Sequence, residues 1–202
     1  MKINLYDFDN TIYEGDSSTD FFFYCLKKYP KIAKIIPKIL LSAIKYKLKI
    51  ITKTEMKQVI FSFLKYVDDI DLCIEKFWNT HSIYIKDFYL EKKHNNDIII
   101  SASPEFLLKP ICDELKVKDL IGSKVNKKTG KFTGLNCHGE EKVKRLNKKY
   151  DNYQVQESYS DSKSDIPILK LAQKSFIVKH DKIIEKDISR LNVCFFFIKN
   201  LL

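Results

Sequence analysis

Glycine and proline are scarce, five of each in 202 residues, and between Ser17 and Lys92 there is no glycine at all. A chain so short of turn formers has no linker-like or low-complexity arm. Cysteine occurs five times (Cys25, Cys73, Cys112, Cys137, Cys194). That odd number, without CxxC spacing, argues against a disulfide framework or a zinc site and fits a reducing cytoplasm. Long apolar runs are missing too. No stretch of about 18 uncharged apolar residues is available to span a membrane. Asp7 and Asp9 stand where a secretory leader would need its apolar centre. Acidic residues are absent from Phe21 to Thr54, and Arg145 and Arg190 are the only arginines. No internal repeat is visible.

What is there is ordinary for a folded protein, 45% hydrophobic and 31% charged, and long enough for one core carrying an inserted subdomain. The net charge of +10 suits nucleic acid, an anionic membrane or a phosphorylated substrate, and chooses none of them. The acid-free stretch holds Lys27, Lys28, Lys31, Lys34, Lys38, Lys45, Lys47, Lys49 and Lys53. Ile32, Ile36, Ile39, Ala43, Tyr46 and Ile50 recur there at spacings of three and four, with lysines on another face. This predicts an amphipathic helical region, broken or restarted at Pro37. The "TKTE" of Thr52 to Glu55 is a capping box for the next helix, and a third helical stretch runs from Asp69 to Lys92. Trp78 and the phenylalanines of "DFFFYC" read as core of this region.

The remainder alternates strand and helix. "DIIISAS" (97–103) reads as a buried strand, followed by a helix with Ser103 as N-cap and Pro104 as its first residue. A short strand near 120–125, a hairpin at "NKKTGKFTG", a helix from about Glu140 to Tyr150 and a strand ending at Ser160 follow. A helix from Ile166 to Gln173 and the strand "SFIVK" complete the pattern. Strands separated by such helices require right-handed crossovers and a parallel sheet covered on both faces. The expected fold is an α/β, Rossmann-like parallel-sheet core made of residues 1–15 and 93–202, with an all-helical subdomain, 16–92, inserted after the first strand.

In such sheets chemistry gathers at the carboxyl ends of the strands. Asp7, Asp9 and Thr11 of "DFDNT" follow strand one, and Ser101 ends strand two. Lys142 lies in "GEEKVKRL", and Asp161 and Asp165 lie in "SDSKSD". Carboxylates, a hydroxyl and an ammonium form a kit for handling a phosphoryl group on a divalent cation. Oxygen ligands for Mg²⁺ can come from Asp7, a backbone carbonyl and Asp161. One carboxylate can attack phosphorus while a second shuttles the proton, and Lys and Ser can stabilise the transition-state charge. A calcium loop is rejected, because Ile12 stands where such a loop needs Gly and no bidentate Glu follows.

These motifs, in this order from residue 7 to residue 165, resemble those of the haloacid dehalogenase-like phosphatases. The similarity is to their phosphoserine-phosphatase-like branch, in which a helical cap follows the first motif. The resemblance implies a Mg²⁺-dependent, cytoplasmic phosphomonoester hydrolase acting through an aspartyl-phosphate. Its substrate would be a small phosphorylated metabolite or a phospholipid head-group phosphate. Asp7 would be nucleophile and metal ligand. Asp9 would be general acid/base with its backbone carbonyl on the metal, and Thr11 would support the loop. Ser101, with Ser103 as rival, would hold the phosphate. Lys142 would pair with both nucleophile and phosphate, Asp161 would ligate the metal, and Asp165 would stand behind the ligands.

Departures from the branch concern the substrate. No cap arginine is present to hold an amino-acid carboxylate, with Lys53 the candidate replacement, and the acid near the first motif is Asp16. Phosphoserine phosphatase proper, a phosphomutase, and a catalytically idle basic interaction protein stay as alternatives. For the Lys-rich cap the readings are a solvated face, a steering rim for a phosphorylated substrate, or peripheral contact with anionic lipid. No nucleic-acid-binding module is seen. The terminal "LNVCFFFIKNLL" reads as an edge strand, a packing tail or an exposed apolar end.

Overall fold

The computed structural model describes residues 1–180 and 182–188, and the terminal "LNVCFFFIKNLL" lies outside them. β1 (Lys2–Tyr6) leads into α1 (Ser17–Lys28), a 3₁₀ segment (Pro30–Ile35), α2 (Ile36–Lys47), α3 (Lys53–Phe61), α4 (Ile70–His81) and α5 (Asp87–Lys92). There follow β2 (Asp97–Pro104), α6 (Glu105–Glu114), β3 (Asp119–Ser123), α7 (Glu140–Lys149) and β4 (Gln154–Ser160). The last elements are α8 (Ile166–Leu169), β5 (Ala172–Lys179) and β6 (Lys182–Glu185). The strands form one six-stranded sheet in the order β3-β2-β1-β4-β5-β6. All pairs are parallel except β5–β6. The α/β parallel architecture expected from the alternation is the one the chain builds, with an unforeseen antiparallel edge strand, β6.

Alternation along β1 sends side chains into two cores. Ile3 and Leu5 pack with Ile98, Ile100, Val155 and Leu146 on one face of the sheet. Tyr6 points the other way, toward Ile99, Tyr159 and Phe176. Tyr6 pairs with Tyr159 and Tyr159 with Phe176 across the ladder, and the rings stack at 4.6 and 4.5 Å. This second core is continuous with the helical insert. Phe8 and Tyr13 meet Trp78 of α4 edge-on at 5.9 and 5.7 Å. The Trp78 indole N–H donates to the Leu107 carbonyl of α6 at 2.7 Å. Trp78→Phe is expected to keep most of the packing and lose that bond. The cost should be about 1–2 kcal/mol, read as a lower urea midpoint by circular dichroism, since this is the chain's one Trp.

The expected boundaries move in four places. The stretch from 69 to 92 is two helices, because Ser82–Tyr84 forms a 3₁₀ turn and the chain straightens at Ile85. There it latches onto the loop after β1, where Glu14 N–H donates to Tyr84 O and Lys86 N–H to Ile12 O. Those bonds outweigh the local helical pattern. Ser103 does not cap α6. The proline after it restricts it to extended backbone, so it stays in β2 while Pro104 occupies the N-cap position without a side-chain bond. The helix expected to reach Gln173 stops at Leu169, since Ala172 already pairs with Val155 in the sheet. Pro37 does begin a helix, but Pro30 also starts a 3₁₀ segment before it. The capping box at Thr52 and Glu55 is formed, with both bonds present. Gly130, in the hairpin region, sits at φ +72°, and a Cβ there would lie 2.2 Å from the Phe61 carbonyl of α3, which only glycine avoids.

Candidate active site

β1 lies between β2 and β4, and the chain leaves it first to one side and later returns on the other. Such a reversal opens a crevice at the carboxyl ends of the strands. Asp7 is the first residue beyond β1, held by its N–H to the Tyr159 carbonyl at 2.9 Å. The chain then coils tightly. The Phe8 carbonyl accepts from Thr11, Ile12 and Tyr13 N–H. Asn10 sits at φ +58°, a conformation that Asn tolerates better than most residues.

The coil gives the two acids different surroundings. One Asp7 oxygen accepts from the Lys142 ammonium at 2.8 Å. Asp9 is bound through Oδ1 to the Ser17 N–H at the start of α1, 2.7 Å, and through Oδ2 to the Ser103 hydroxyl, 2.5 Å. Burial pushes the Asp7 carboxyl up to about 8 against the pull of Lys142. Burial likewise raises Asp9, helped by the charge of Asp16 and opposed by the bonds from Ser103 and Ser17. Ser101 is fully buried; its hydroxyl accepts from Ser103 N–H at 3.0 Å and donates to Asp9 Oδ2 at 3.5 Å. Both serines of "SASP" therefore reach Asp9, and Ser103 does so over the shorter distance. Ser18 shares the Ser103 hydroxyl at 2.9 Å.

Lys142 enters from the first turn of α7, which starts behind Gly139 at φ +60°. Its ammonium, 1% exposed, also donates to Asp165 Oδ2 at 2.6 Å. Burial works against its charge, but Asp7 and Asp165 outweigh it and hold the ammonium protonated well above the ordinary range. Asp165 occupies the N-cap position of α8 without capping it. Its Oδ2 instead takes Lys142 and the Ser160 hydroxyl. Asp161 follows β4 and donates its N–H to Thr11 Oγ1 at 3.0 Å, fixing the two loops together. Burial raises its carboxyl as well. Asp7, Asp9, Thr11, Ser101, Lys142, Asp161 and Asp165 thus lie together at the carboxyl ends of β1, β2 and β4.

Several neighbours were not legible beforehand. Lys57, in α3, donates to the Ala102 carbonyl at 3.1 Å and to Asn136 Oδ1 at 3.4 Å. Burial lowers its pKa, while Asp16 and Asp9 oppose that. Lys57, and not Lys53 one turn earlier, makes these contacts, and nothing in the sequence distinguishes one lysine of that helix from another. Asn136 is in turn held by Ser123 at 3.1 Å. Asp16, already picked out as the acid near the first motif, serves as the N-cap of α1 through Thr19 N–H.

Among the described residues no group of three or more His, Cys, Asp or Glu is arranged to hold a metal ion. The set expected for Mg²⁺ asks for less: the side chains of Asp7 and Asp161 and the carbonyl of Asp9. The surroundings fit a cation. Asp7, Asp9 and Asp161 are all raised by burial. Asp165 Oδ1 is buried with no hydrogen-bond partner. Lys142 answers Asp7 and Asp165 directly, and a divalent cation would add the positive charge that this group of carboxylates calls for.

Residues 5–170 match the family model described as haloacid dehalogenase-like hydrolase. A histidinol-phosphatase of Neisseria meningitidis serogroup C is 29% identical over 102 residues, 45% of this chain and 46% of that protein, so the match spans less than half of the relative. Among solved structures, a Bordetella pertussis protein of unknown function aligns with TM-score 0.70 at 19% identity, over 86% of this chain and 88% of its own. A phosphoserine phosphohydrolase-like protein from Francisella tularensis aligns with TM-score 0.54 at 18% identity, over 87% and 86%. These structural likenesses show a shared fold.

Proposed function

The chain belongs to the haloacid dehalogenase-like hydrolases, and we propose that it is a Mg²⁺-dependent phosphomonoesterase that works through an aspartyl-phosphate on Asp7. The observation that carries this reading is the unequal treatment of two neighbouring acids. Lys142 holds Asp7 at the end of β1, while Ser17 and Ser103 turn Asp9 away from that ammonium. Asp7, at the strand end, attacks phosphorus; a P–O bond forms to its carboxylate as the bond to the alcohol oxygen breaks. Asp9, whose carboxyl is raised by burial, gives its proton to the departing oxygen. The resulting Asp9 carboxylate then takes a proton from water as that water attacks the phosphoryl group, which frees phosphate and restores Asp7.

Lys142 and the hydroxyls of Ser101 and Ser103 stand ready to donate to the phosphoryl oxygens as charge spreads over them. Asp7, the Asp9 carbonyl and Asp161 would hold the cation, which when bound neutralises phosphate charge and orients the ester. Thr11 ties the first loop to Asp161 and so fixes both. Asp165 orients Lys142.

The helical insert, about 16–92, acts as a cap over this crevice, and Lys57 is its reach into the site. An ammonium there suits a substrate with a second negative or strongly polar group beyond the phosphate. With Asp16 committed to capping α1, the cradle for an amino-acid head is incomplete, which disfavours phosphoserine. The name of the Neisseria relative adds histidinol phosphate to the esters worth trying. The test is release of phosphate from an aryl phosphate with Mg²⁺ and with EDTA, then from histidinol phosphate, phosphoserine, phosphosugars and phospholipid head-group phosphates. Hydrolysis that needs the cation, with Lys57→Ala raising KM several-fold at nearly constant kcat, is expected. No cation-dependent release from any ester would sink the reading and favour an idle scaffold; a trapped phosphosugar would mean a mutase.

A further inference from the structure

The helix α2 is apolar on two opposite sides. Its inner side is spent on the protein, with Ile32 and Ile35 buried just before it and Ile39 packed against the main core. Its outer side repeats the pattern one step round: Leu40, Leu41, Ile44 and Leu48 fall at spacings of one, three and four, and form an exposed ridge. Leu40 is 61% exposed, Ile44 55% and Leu48 65%. Ile50, also 65% exposed, prolongs the ridge at the tip of the turn into α3, where Lys49 adopts φ +58°. Single exposed leucines need no explanation, whereas a continuous apolar ridge does. Lys38, Lys45 and Lys49 follow the same period beside the ridge and Lys47 lies on its other flank, with no acid anywhere from Phe21 to Thr54.

An apolar ridge edged by long, flexible cations, on an exposed helix and turn, is the composition that settles into the interface of a negatively charged bilayer. Apolar side chains enter the acyl boundary while the ammonium groups stay with the head groups. Every charged side chain of α2 and the turn after it, Lys38, Lys45, Lys47 and Lys49, is a cation, which matches an anionic surface. We propose that the α2 helix and the turn after it dock this protein on an anionic lipid surface. Docking is reversible, since no helix among the described residues is long and apolar enough to cross a membrane. It stands whether or not the crevice is a phosphatase. Because α3 runs from this turn to Lys57 in the crevice, docking would bring the site's cap to the membrane.

The experiment is co-sedimentation of the full chain with vesicles of phosphatidylglycerol and phosphatidylcholine, against vesicles of phosphatidylcholine alone. Binding to the mixed vesicles only, weakening as salt is raised, is expected. Leu40→Ser combined with Ile44→Ser and Leu48→Ser should reduce it at least about tenfold. Each of Lys38→Gln, Lys45→Gln and Lys49→Gln should reduce it up to about fivefold at low salt. Aryl phosphate hydrolysis and melting temperature should hold in these variants. Absence of binding to anionic vesicles, or binding untouched by these substitutions, overturns the proposal. So does a dimer in sedimentation velocity that the triple serine variant dissolves without any vesicle binding by the parent, because the ridge would then be a self-association face.

Discussion

Asp7→Asn is expected to lose at least about a thousandfold in hydrolysis of p-nitrophenyl phosphate while its melting temperature holds or rises. Both halves follow from one geometry. The amide nitrogen and oxygen fill nearly the volume of the carboxylate, so β1 and its neighbours are undisturbed, and the oxygen can still accept from Lys142. What the amide cannot do is form a bond to phosphorus and leave again as a carboxylate. The stability sign comes from burial. Asp7 is raised from 3.8 to about 8, so the folded state resists its ionisation and the unfolded chain does not. An acid raised in this way costs stability progressively as pH climbs above 4, and loses no more once pH passes about 8. Asn removes that cost. The pair of assays, turnover at pH 7 with Mg²⁺ and melting at pH 7 without added cation, checks both. Turnover within tenfold of the parent would remove Asp7 from the mechanism.

The parts of this molecule that could be read in advance are those whose cause is local. The strand β1 is legible because Ile3 and Leu5, two apart, share a face and the run stops at acids, although Asn4 between them is buried against Asp97. Thr52 and Glu55 announce their helix because a capping box is built from residues three apart. Asp7, Asp9, Lys142, Asp161 and Asp165 stand out because strand ends and motif order select them. What could not be read depends on distant partners. Ser103 looks like an N-cap when only its neighbours are considered, but the proline after it keeps it extended and Asp9, far away in sequence, claims its hydroxyl. Lys57 is one lysine among many until α3 is laid beside Ala102 and Asn136. The break at Ile85 exists because the loop after β1 offers backbone partners. The outer ridge of α2 was hidden for a different reason. A periodic pattern identifies an apolar face without saying whether the protein covers it, and this helix carries two.

Lys142→Met is the other large effect, and here stability and activity should fall together. The ammonium is buried, 2.8 Å from Asp7 and 2.6 Å from Asp165, and removing one member of such a cluster leaves uncompensated charge in a dry place. A loss of about 3–5 kcal/mol is expected, read from urea unfolding at pH 7. The deficit should depend on pH. Lys142 is the influence that lowers the Asp7 carboxyl, so without it the folded-state pKa rises further above its unfolded value of 3.8. Below about pH 8 Asp7 is protonated in both folded proteins; above it the parent can ionise Asp7 beside the ammonium, and the variant cannot without leaving it unpaired. Its urea midpoint should therefore run a constant distance below the parent's up to about pH 8 and fall further behind above it. The double variant Asp7→Asn, Lys142→Met separates the two roles of the pair. With one anion removed along with the cation, Asp7→Asn should restore more stability in this variant than it adds to the parent, so the two effects are not additive. Turnover should stay at the level of Asp7→Asn alone, because Lys142 serves catalysis only through the phosphoryl group that Asp7 would accept. If the double variant were as unstable as the sum of the singles, Lys142 and Asp7 would not be the coupled pair on which the mechanism rests.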